Sequence, residues 1–114
     1  MSAGISKPWR EATDAELDTV SVSTGVYEIC ADDGEIIDID YAGSRELFGL
    51  RSRLRRIVYE LGVNGLKFRL EEHIQYQSRY VEVVLDYMAQ HDGSLPERVA
   101  CRRIPVHGRI TPRR

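Results

Sequence analysis

Directly behind a Tyr41-Ala42-Gly43 turn, the 114-residue chain sets four arginines close together: Arg51, Arg53, Arg55 and Arg56. A guanidinium is a planar fork of donors that can hold two phosphate oxygens at once. A cluster of this kind reads either as a solvated helix face or as a site that meets phosphate. Other chemistry is thinly supplied. His73, His91 and His107 have no metal-ligand spacing, and Cys30 and Cys101 fit neither a metal nor a redox motif. One disulfide would be an odd framework here, so the cysteines point to a reducing, cytoplasmic setting.

The elements that must position the arginines follow from periodicity. Leu47, Leu50, Leu54, Ile57, Val58 and Leu61 recur at helical spacing, which predicts an amphipathic helix over 46–61. Arg56 points away from its apolar stripe, and Arg51 and Arg55 share one flank. Arg53 lies on the other flank, where its stem can pack while its fork reaches a partner. Before this helix, GVYEICA at 25–31 and IIDIDYAG at 36–43 alternate as strands, with Asp33-Gly34 between them as a hairpin turn. A two-residue turn there sets Tyr27 against Asp40 and sends Tyr27 and Tyr41 to opposite faces. A three-residue loop sets Tyr27 against Tyr41 on one face. After the helix, Leu66, Phe68 and Leu70 alternate with charged residues as a third strand, and residues 75–91 form a second helix. A capping box at Thr13–Glu16 predicts a short helix over 14–19, and Trp9 anchors the arm before it. Val99–Cys101 or Arg103–Val106 could add a short strand. The expected fold is α/β of the α+β kind: a small three-stranded mixed or antiparallel sheet flanked by helices, in β-β-α-β-α order.

Length and composition fit one domain with a real core. We divide it into an N-terminal arm with a short helix (1–24), a central domain (25–97) and a basic tail (98–114). The formal charge of −2 hides an asymmetry. Residues 1–97 hold 10 Lys and Arg against 18 Asp and Glu, a net −8, whereas 98–114 hold six Arg and no acid. A basic tail on an acidic body suggests a nucleic acid or an acidic surface as partner, or only a charge-balancing end. No run of about 18 apolar residues is present to span a membrane.

Gly25-Val26-Tyr27 opens the first strand, Tyr41-Ala42-Gly43 closes the second, and Gly49–Arg55 follows on a helix. In this order the motifs resemble the GIY-YIG nuclease superfamily over residues 25–90. The resemblance implies a metal-dependent endonuclease that cleaves nucleic-acid phosphodiesters. It makes Tyr27, Tyr41, Arg53 and Glu82 the catalytic residues, with Glu82 holding Mg²⁺ or Mn²⁺. The four should then converge on one concave patch, with both tyrosines on one sheet face. Arg51, Arg55, Arg102 and Arg103 would bind the nucleic acid, DNA rather than RNA, and a separate targeting protein would direct the cut. Two departures favour an alternative. Ile57 stands where family members often carry histidine or tyrosine, and Asp92-Gly-Ser-Leu-Pro lacks the asparagine expected after the second helix. The alternative is a non-catalytic nucleic-acid or protein binding module that keeps the fold.

Overall fold

A computed structural model of the chain describes residues 4–102. Arg10–Glu11 (β1) and Asp14–Leu17 (α1) lead in, and the Thr13 hydroxyl caps α1 by accepting from the Glu16 amide. Gly25–Cys30 (β2), Ile36–Ala42 (β3), Gly49–Leu61 (α2), Lys67–Glu72 (β4) and Tyr76–Gln90 (α3) follow. Glu97–Ala100 (α4) completes the described elements. The sheet is antiparallel throughout, in the order β1-β4-β2-β3.

The architecture is α+β, but the sheet has four strands where the sequence predicted three. The fourth comes from the arm, where Arg10 and Glu11 pair with Phe68 and Lys67. A two-residue strand has no periodicity to detect. Val99–Ala100, weighed above as a strand, is helical in α4, and Arg103–Val106 lies outside the described residues. Helix α2 starts at Gly49 rather than at 46, because Phe48 and Gly49 both adopt left-handed backbone, with φ of 65° and 52°. At Gly49 the glycine is obligatory. A Cβ there would sit 2.1 Å from the Val22 carbonyl oxygen.

Two apolar layers sandwich the sheet. Leu50, Leu54 and Ile57 of α2 cover Tyr27, Ile29 and Phe68 on one face. Tyr80, Val83 and Val84 of α3 cover Val26 and Ile39 on the other. Each fully buried Leu or Ile contributes about 1.5–3 kcal/mol, which is what holds the arginine-bearing helix on its face.

The hairpin decides which side chains share that face. Ala31 and Glu35 close its loop, Gly34 takes φ of 90°, and Asp33 Oδ1 accepts from the Glu35 amide. A bulge then shifts register between Ile29–Asp38 and Cys30–Ile36, leaving Ile37 as the extra residue. Beyond it, Tyr27 opposes Asp40 and Val26 opposes Tyr41. Tyr27 and Tyr41 therefore face opposite layers.

Candidate functional site

Arg53 leans from the border of α2 over the sheet and meets two side chains that the hairpin register has placed side by side. Its Nη2 donates to Asp40 Oδ2 at 2.5 Å, and its Nε donates to the Tyr27 hydroxyl at 3.4 Å. Its Nη1 lies 3.5 Å from Glu46 Oε1, and Glu46 also pairs with Arg56 at 2.9 Å. The Arg53 side chain is 25% exposed and Asp40 is almost wholly buried. Burial alone would lower the Arg53 guanidinium, but Tyr27 and Asp40 hold it above its ordinary value. Burial drives the Tyr27 phenol far upward, and Asp40 and Asp38 add to the effect. Tyr27 is thus a buried core residue whose hydroxyl accepts from Arg53 and whose ionisation burial disfavours.

The same carboxylate row continues along the edge strand. Asp38 is fully buried and accepts from Arg102 at 2.7 Å and Arg98 at 3.3 Å. Arg98 also reaches Glu60 on α2, and Arg102 donates to the Ile39 carbonyl at 3.1 Å. Two inward-pointing acids on an edge strand are clamped by Arg53 of α2 and by Arg98 and Arg102 in and just after α4. An edge closed in this way is a poor template for another strand. The Tyr80 phenol beside it is pushed up to about 12, first by burial and then by Asp40.

On the α3 face, Tyr41 packs against Tyr76 and Tyr80, with ring centroids 5.4 and 5.2 Å apart. Gly43 makes this possible, since a Cβ there would come within 2.9 Å of the Tyr76 ring. The Tyr76 hydroxyl accepts from the Ser44 amide at 3.3 Å, and hydrogen bonding from Ser44 lowers its pKa. A cleft of about 560 Å³ opens at the edge of β3, lined by Tyr41 and Tyr76 from one side of the sheet, Arg53 and Asp40 from the other, and by Arg45.

Of the expected catalytic four, the structure brings Tyr27 and Arg53 together and does not bring Tyr41 and Glu82 to them. Tyr41 reaches the shared cleft only from the other side of the sheet. Glu82 projects from α3, 60% exposed, and accepts from Arg79 at 3.1 Å, while Arg79 is also held by Glu71. The expectation of one concave patch is corrected on this point: the odd register left by the Ile37 bulge turns Tyr41 from Tyr27, and α3 carries Glu82 on the sheet face opposite α2. Among the described residues no group of three or more His, Cys, Asp or Glu is placed to hold a metal ion. A carboxylate already shared with a guanidinium, across the sheet from Arg53, does not fit the Mg²⁺ or Mn²⁺ role.

The arginines expected at nucleic acid are dispersed. Arg55 pairs with Asp18 and Arg102 with Asp38. Arg51 donates its Nε to the Val20 carbonyl at 2.8 Å and meets no carboxylate among the described residues. Arg103 lies outside the described residues. Sequence reasoning missed Asp40, Asp38 and Arg98. The signal for the acids was present in the alternation of IIDIDYA, which puts two aspartates on one face of a strand. No helix among the described residues is long and apolar enough to cross a membrane. No family model matches the chain, nor does any curated protein or any solved structure compared with it.

Proposed function

We propose that the domain is a non-catalytic binding module that recognises an anionic ligand, nucleic acid or protein, and retains a GIY-YIG-like order of motifs. The observation that carries this reading is the state of Arg53. Its fork is spent on Asp40 and Glu46, and its Nε on Tyr27. A phosphate entering there would have to displace a nearly buried carboxylate that is already charge-paired, and the displaced acid would then repel it. The apolar Ile57, buried one turn after Arg53, adds no group that could move a proton.

Metal-dependent phosphodiester cleavage by Tyr27, Tyr41, Arg53 and Glu82 is the competing reading. Against it stand the separation of Glu82 from Arg53 and the full burial of Tyr27, which disfavours its ionisation. What remains available to a ligand is positive charge without a carboxylate partner among the described residues, at Arg45, which lines the tyrosine-lined cleft, and at Arg51, beside the Val20 carbonyl. The discriminating experiment incubates supercoiled plasmid and structured RNA with wild type, Glu82→Gln and Arg53→Lys, in Mg²⁺ and in Mn²⁺. We expect the same background rate from all three. Metal-dependent nicking by wild type that both variants lose would overturn the proposal.

A further inference from the structure

Three loops meet at the end of the sheet where β2 begins and β3 and β4 finish, and all three display large apolar side chains. Leu47 is 73% exposed, Phe48 62% and Ile74 88%, with Val22 half-exposed beside them. The loops are laced to one another through their backbones. The Leu50 amide donates to the Ser23 carbonyl at 3.0 Å and the Arg51 amide to the Ser21 carbonyl at 3.1 Å. The Thr24 hydroxyl donates to the His73 carbonyl at 2.9 Å, and the His73 amide returns a bond to the Thr24 carbonyl at 3.0 Å. The apolar tips therefore stand on a fixed base.

Phe48 is held outward at a cost. Left-handed backbone strains a bulky non-glycine residue, and this one stays mostly exposed in return. Charge is also distributed selectively. Of the ten arginines among the described residues, eight are in ion pairs with carboxylates. The two that are not, Arg45 and Arg51, flank the Leu47–Phe48 tip in sequence.

We infer that this loop end docks an acidic, apolar segment of a partner protein, with carboxylates on Arg45 and Arg51 and apolar side chains on Leu47, Phe48 and Val22. The inference rests on the binding-module reading and names its partner class. A partner with both features neutralises the two guanidiniums that lack a carboxylate and covers the exposed tips together. Nucleic acid is the weaker occupant. Aliphatic Leu47, Val22 and Ile74 offer nothing to a phosphate backbone, whereas a protein segment can cover them with apolar side chains of its own.

The test selects a phage-displayed random 12-residue peptide library on the immobilised full chain, then measures synthetic copies of the enriched peptides by calorimetry. We expect peptides with Asp or Glu beside Leu or Phe, weakened about tenfold or more by Phe48→Asn and by Arg45→Glu or Arg51→Glu. These positions are solvent-facing or partly so, and circular dichroism of each variant verifies its fold. A selection without such a consensus, or peptides indifferent to all three substitutions, would overturn the inference. So would tight binding of a dT20 oligonucleotide, or of phosphatidylserine vesicles, that the same substitutions abolish. Failure of the binding-module reading is read separately, in the nicking assay.

Discussion

Replacing Asp40 with asparagine removes the charge that closes Arg53 while keeping nearly the same shape. The side-chain oxygen of the introduced asparagine can still accept from the Tyr41 amide, a bond Asp40 makes at 2.9 Å. Its amide nitrogen, however, then faces Arg53 Nη2 across what was a 2.5 Å contact, donor against donor. Removing one partner of a buried ion pair costs about 3–5 kcal/mol. Arg53 keeps Glu46 at 3.5 Å and one quarter of its surface in water, so the loss falls to about 2–3 kcal/mol. For a domain of this size that lowers Tm by about 10–20 °C. Thermal unfolding at pH 7 followed by circular dichroism measures it. The double mutant with Arg53→Met isolates the pair, and we expect a coupling of about 1 kcal/mol or more. A drop below about 3 °C, or additive single mutants, would refute the claim that Arg53 is committed to the interior.

Further outcomes follow from strain and from ionisation. Phe48→Asn should raise stability by about 1 kcal/mol, because asparagine tolerates the left-handed backbone, while weakening the docking surface; equal or lower Tm would contradict it. Hydrogen bonds from Arg79 hold Glu71 below its ordinary value, so its contribution is present at neutral pH and lost as pH falls through that lowered value. Burial holds Glu28 above its ordinary value in spite of Arg69, so its stabilising contribution is full in acid and lost as pH rises through the raised value. Stability–pH curves should therefore flatten on the acid side in Glu71→Gln and on the less acidic side in Glu28→Gln. A change of the same sign in both would contradict the assignments.

Much of the scaffold was legible because it is periodic. The alternation of 25–31 and 36–43, and the i, i+3, i+4 stripe from Leu50 to Leu61, correspond to β2, β3 and α2. The site was less legible, because its geometry turns on one inserted residue. Asp33-Gly34 signalled the hairpin correctly, yet the Ile37 bulge, which carries no sequence signature, decided that Tyr27 would face Asp40 and not Tyr41. The helix start was misread for a related reason. Leu47 continues the apolar stripe of α2, but Phe48 and Gly49 break the helix before it and turn Leu47 into an exposed tip. Arg53 was placed correctly at the border of core and solvent, although its partner came from the strand alternation of IIDIDYA.

The commitment of Arg53 to the interior is tested most directly on the arginine side chains themselves. In a ¹⁵N-labelled sample, the Nε–H resonances of Arg53, Arg45 and Arg51 are assigned by substitution and followed during titration with a 5′-phosphorylated oligonucleotide in Mg²⁺, then with an enriched acidic peptide. We predict an Arg53 signal that is protected from solvent exchange and unmoved in both titrations, while Arg45 and Arg51 shift with the peptide. A saturable shift of the Arg53 signal on adding the oligonucleotide would contradict it.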